Sequence, residues 1–179
     1  MDITENVKMS EDVVAIRGSK SNLNEKVGGV RGFVTVIKNK GREDEQILCK
    51  NKENLLTDVG RDDIHNGMYT NAGSGQTAFN YMALSSEATA PTTSDTIISS
   101  EISSGGLERV QASTRSHVVG TNESTIEHQF TATTQHTDVR KSGIFDAISV
   151  GTLGHANTFT PASLEINDTL TVTWTITAG

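Results

Sequence analysis

Cysteine and tryptophan each occur once in these 179 residues, proline twice, and aromatic side chains make up only 4%. One cysteine cannot form an internal disulfide or a cysteine-based zinc site. Cys49 lies in EQILCKNK and reads as a half-buried strand residue, since a nucleophile needs a base arranged around it. No run of 18 apolar residues occurs, so no helical membrane span is expected and no membrane partner. The opening MDITENVKMSED has neither a basic nor an apolar region, so no secretory signal is expected. Basic residues are scarce: 15 Lys and Arg stand against 22 Asp and Glu, a net charge of −7, which argues against nucleic acid as a partner. Ile, Leu, Val and Phe total 41 residues, about 23% of the chain, close to the ~20% region where disorder sets in. These figures predict a folded domain with a thin core, part of whose burial comes from partner subunits.

The chain has two compositional halves. Residues 1–65 carry 11 basic and 12 acidic residues and three Thr, whereas residues 66–179 carry 4 basic and 10 acidic residues and 21 Thr. Threonine suits a pleated strand because its side chain branches at Cβ. Residues 1–28 are polar and lack sustained periodicity. Val13, Val14 and Ile16 are their short apolar anchor, and the segment reads as an extended N-terminal arm. Residues 29–179 read as one β domain. GFVTVIK (32–38) and QILCKNK (46–52) form a hairpin around a charged tip. A single helix is predicted near 56–68, capped by Thr57 or Asp58 and closed by Gly67. NAGSGQT (71–77) reads as a turn, because it lacks the lysine and spacing of a phosphate loop. Strands follow at FNYMALSS, at LERVQASTRSHVV as one long strand or a strand pair, at STIEHQFTATTQ and at VRKSGIFDAISV, with a bulge expected at Gly143. The clearest is DTLTVTWTIT, where Leu170, Val172, Trp174 and Ile176 face one way and five Thr the other. Turns are placed at 120–123, 136–138, 151–157 and 161–168. The fold class expected is mainly β, an antiparallel β-sandwich of jelly-roll-like form with one short helix.

Candidate chemistry is sparse. Asp62, Asp63 and His65 cannot converge on one ion from a helix, since adjacent positions diverge by about 100°. His128 and His136 are eight residues apart, about 27 Å along a strand. His117 and His155 are the pair whose approach depends on the fold. No serine sits in a nucleophile elbow, and nothing singles out a carboxylate pair for sugar hydrolysis. No catalytic, cofactor-binding or metal-ligating residue is therefore assigned, no cofactor is expected, and the protein reads as a non-enzyme.

Five segments taken in order resemble structural proteins of tailed phages and tailed archaeal viruses. They are NLLTDVG at 54–60, YMAL at 81–84, TAPTTSDTIISSE at 89–101, GIFDA at 143–147 and DTLTVTWTI at 168–176. The resemblance spans roughly residues 50–178, and Ser85 stands where the pattern has glycine. It implies a non-enzymatic virion protein with a β-sandwich core, often oligomeric, and it brings no catalytic residue to carry over. The expected function is a capsid-associated decoration or minor capsid protein, anchored by its arm to other virion proteins and forming a homo-oligomer, with a trimer as the guess. The alternative is a tail-fibre or baseplate module binding a host receptor or glycan, for which Tyr69, Tyr81 and Trp174 are the aromatic candidates. A small carbohydrate-active enzyme on the same fold is a third reading, requiring clustered carboxylates near a cleft.

Overall fold

Alternation of apolar and polar residues, most regular between Thr169 and Thr177, gives a strand two chemically distinct faces, the apolar one for the core. The computed structural model describes residues 29–65 and 78–178, over which ten strands and one helix follow one another. β1 (Val30–Lys38), β2 (Gln46–Glu53), β3 (Leu55–Leu56) and α1 (Asp58–His65) come first. β4 (Tyr81–Ser85), β5 (Val110–Gln111), β6 (Thr114–His117), β7 (Glu123–Thr131), β8 (His136–Phe145), β9 (Leu153–Leu164) and β10 (Thr169–Ala178) follow. They form two five-stranded antiparallel sheets, ordered β2-β1-β10-β7-β6 and β3-β9-β8-β4-β5. The sandwich expected from the sequence is present. The arm expected over residues 1–28 and the turn expected at 71–77 lie outside the described residues.

β10 is the central strand of the first sheet. It pairs with β1 over nine residues, including Val34 opposite Trp174, and with β7 over nine more, including Ile126 opposite Trp174. The core between the sheets is built from Val34, Val36, Phe130, Leu170, Val172 and Trp174 on one side and Met82, Leu84, Val139, Ile144, Phe159 and Leu164 on the other. Trp174 is fully buried, and its indole N–H donates to Ser142 Oγ at 3.4 Å. The centre of the core thus forms within one chain.

The second sheet is buried on both faces, which explains why YMALS has almost no exposed residue. Its outer face packs Ala83, Phe145, Leu153 and Ala156 beneath Ile98, from the long segment between β4 and β5. Gly143 is part of this contact rather than the bulge expected there. A Cβ at Gly143 would lie 2.4 Å from Ile98 Cδ1 and 3.1 Å from the His155 carbonyl. The register shifts of β8 against β9 occur instead between His136 and Val139, between Val139 and Lys141, and between Ile144 and Phe145. Arg109 ties the segment down: its guanidinium lies 3.5 Å from the Phe145 ring centroid and pairs with Glu101 at 2.6 Å. Lys141, almost fully buried, pairs with Glu87 at 3.0 Å and fixes the other end.

Three boundaries differ from expectation. The helix begins at Asp58 rather than near 56, because Leu55 and Leu56 pair with β9 as β3; it is described to His65, and the close expected at Gly67 lies outside the described residues. Thr57 caps it, with the Gly60 N–H donating to Thr57 Oγ1 at 3.1 Å while that hydroxyl donates to the Leu153 carbonyl. The stretch 136–138, expected as a turn, opens β8. The stretches 153–157 and 161–164, also expected as turns, belong to the twelve-residue β9, whose register against β8 shifts near Pro161. Gly154 and Pro161 mimic punctuation, but β8 and β3 supply partners that local sequence does not show.

A polar latch closes one end of the sandwich, where the β1–β2 and β9–β10 turns meet. Asn39, at φ 51°, donates to Asp168 Oδ1 at 2.9 Å and to Asp44 Oδ2 at 2.6 Å, and its own amide oxygen accepts from the Thr169 N–H at 2.8 Å. Lys38 pairs with Asp168 at 2.8 Å. Burial pushes the Asp168 carboxyl up, but hydrogen bonds from Lys38, the Glu165 N–H and Asn39 outweigh it and hold the group at about 2.

Trp174→Ala is expected to cost about 3–5 kcal/mol in urea unfolding, as for other large-to-small core changes. Gly143→Ala is expected to cost about 1–3 kcal/mol by overpacking. A double-mutant cycle with Ile98→Ala should show that part of this cost disappears once the isoleucine is shortened, and strict additivity would mean the two positions do not meet.

Candidate functional site

Among the described residues, the end opposite the latch is open. There the inner faces of the two sheets diverge around an apolar cleft of about 560 Å³. Sheet alternation puts Val30 of β1, Ile126 of β7 and Ile176 of β10 on one wall, and Ile144 of β8 on the other. Phe79, Ile64 of α1 and His155 of β9 complete the apolar part, while His117, Thr121, Asn122 and Ser124 add polar atoms.

His117 and His155, the pair whose approach the sequence left to the fold, both line this cleft. His117 is exposed, with Nδ1 2.8 Å from the Glu123 carbonyl and 3.4 Å from Ser124 Oγ. His155 is 2% exposed, its ring centroid lies 6.3 Å from that of Trp174, and its Nδ1 has no hydrogen-bond partner. Burial alone pushes this imidazole down to about 4, so it is neutral at physiological pH. His128 is half-buried and edge-on to Phe130 at 4.7 Å, and burial lowers it as well. His136 is fixed elsewhere, with Nε2 3.0 Å from the Gly105 carbonyl.

The remaining chemistry-bearing groups serve the fold. Among the described residues, no three His, Cys, Asp or Glu are grouped to hold a metal ion. Cys49 is half-buried beside the Val34 carbonyl, and burial raises its thiol, which keeps it protonated. A second, polar pocket of about 260 Å³ lies between Lys141 and the 87–99 segment. There the Thr92 side chain and N–H donate to Asp95, and Lys141 donates to Glu87; both contacts lower the carboxyls concerned. Of the aromatic candidates for a glycan platform, Trp174 is buried, Tyr81 packs on the outer face of the second sheet, and Tyr69 lies outside the described residues.

Exposed apolar side chains mark the cleft end further. Val118 and Val119, 67% and 93% exposed, form the β6–β7 tip, and Ile148 and Val150, 61% and 87% exposed, form the β8–β9 tip. Ile47 and Ile166 stand at the latch end, amid charged residues. Nothing in the sequence marked these tips as neighbours; only the pairing of β7 with β10 and of β8 with β9 brings them to one end.

Comparison of the chain with protein-family models, curated proteins and solved structures finds no match.

The buried His155 sets a pH dependence. An unfolded imidazole titrates near ~6.5, the folded one near 4, so between those values only the unfolded chain takes up the proton. The stability contribution is complete above about pH 6.5 and is lost as the pH falls toward 4. Urea unfolding is expected to show about 2–3 kcal/mol less stability at pH ~4.5 than at pH ~7.5. His155→Phe should remove most of that difference, and an undiminished difference in the variant would assign it to other groups.

Proposed function

We propose that this protein is a non-enzymatic structural component of a virus particle, associated with the capsid and attached through residues 1–28. The carrying observation is that an apolar cleft and two exposed apolar hairpin tips gather at the end of the sandwich from which those residues leave at Val30. Ile47 and Ile166 at the latch end and Ile97 on the covering segment are exposed as well, but the apolar cleft and the most exposed valines, Val119 and Val150, lie at the end bearing the tether, which suits attachment by that end. The resemblance to virion proteins agrees, because its segments fall on structural elements in order: the β3–α1 entry, β4, the segment covering the second sheet, β8 and β10. Partners in this reading are other virion proteins and further copies of the chain, with a trimer as the proposed symmetry.

The test is mass spectrometry and immunogold labelling of purified particles from a producing culture. The chain is expected at a fixed copy number on the head surface. Absence from particles overturns the reading, and labelling confined to fibre tips moves it to the receptor-binding alternative. Deleting residues 1–28 is expected to abolish incorporation, and full occupancy by the truncated chain would overturn attachment through that segment.

A further inference from the structure

Among the described residues, the cleft is an unfinished part of the core. At the latch end the layers are sealed by Asn39, Asp168 and Lys38, whereas at the other end Val30, Ile126, Ile144 and Ile176 line open space. Apolar walls of this kind gain from any apolar side chain that displaces water. The chain carries a suitable segment close by. Val30 is both a wall of the cleft and the first residue of β1, so everything before it enters the fold at the cleft itself.

Within residues 1–28 the longest apolar run is Val13-Val14-Ala15-Ile16, flanked by Glu11, Asp12 and Arg17. In an extended conformation Val14 and Ile16 project to the same side, giving two branched side chains for one apolar slot. The flanking charges would then remain at the rim, near the polar His117, Thr121 and Asn122. Fourteen residue steps separate Ile16 from Val30, which reach at most about 46–50 Å when extended and roughly 20 Å on average as a flexible coil. A tether of that length holds the run near the cleft at an effective concentration on the order of millimolar, well above that of a second chain in dilute solution.

We propose that in the isolated protein Val14 and Ile16 of the chain's own N-terminal segment fill this cleft and complete the core. This inference rests on the cleft and its tether, not on the particle reading, and the two fail separately because its test needs no particles.

The experiment uses the full chain with Cys49→Ser, Ala15→Cys and Asn122→Cys, treated at micromolar concentration with a short bis-maleimide. An intramolecular crosslink is expected, with a yield several-fold above that of the same chain also carrying Val14→Asp and Ile16→Asp. A crosslink joining two chains would assign the cleft to a second copy and overturn the proposal. Equal yields with and without the aspartates would also overturn it, by showing mere proximity of the tether. In parallel, the fluorescence of 1-anilinonaphthalene-8-sulfonate is expected to be low with the natural sequence. It should rise several-fold with Val14→Asp and Ile16→Asp alone, while circular dichroism of the sandwich is unchanged. Unaltered dye binding would overturn the proposal.

Discussion

The fold depends on the double pairing of β10. That strand is hydrogen-bonded to β1 on one side and to β7 on the other, so the first sheet has no continuity without it. Its apolar face also supplies Leu170, Val172 and Trp174, the centre of the interlayer core. Removing water from the Trp174 indole is favourable only because Ser142 from the opposite sheet accepts its N–H. Pairing, packing and polar satisfaction therefore converge on one strand.

The two sheets solve different problems. The first packs its inner face in the core and lays a half-buried threonine ladder on the other, Thr169 and Thr171 being buried; there Thr173 donates to Glu127 at 2.6 Å and Lys40 reaches the same carboxylate at 3.3 Å. The second buries both faces, and the segment between β4 and β5 acts as a third layer over it. That layer is held by charge-assisted contacts, Arg109 with Glu101 and Lys141 with Glu87, rather than by regular secondary structure. The ends differ as well, one sealed by amide and carboxylate groups and the other left apolar.

Legibility in the sequence followed locality. The face of β10 could be read from strict alternation, and the Thr57 cap from a hydroxyl placed before a helical turn. β9 was concealed, because Gly154, Asn157 and Pro161 look like turn residues, and pairing with β8 just before it and with the distant β3 makes them a strand. Gly143 looked like a bulge, but its small size serves Ile98, 45 residues earlier, which no local pattern announces. The cleft was the least legible feature. Ile126 and Ile176 read as ordinary core positions, and nothing in either strand says that the layers part beyond them. Of its histidines, only the possibility of an approach was visible.

The register of β1 against β10 has a consequence for synthesis. Val34 is made early, yet its partner Trp174 follows about 140 residues later. Contacts that distant close slowly, because the loop entropy is lost before the pairing is gained. While the chain is still on the ribosome, the β1–β2 hairpin has no second neighbour for β1 and no layer to cover Val34 and Val36. Emergence of β10 from the exit tunnel is therefore the event that joins β1 to β7 and completes the first sheet.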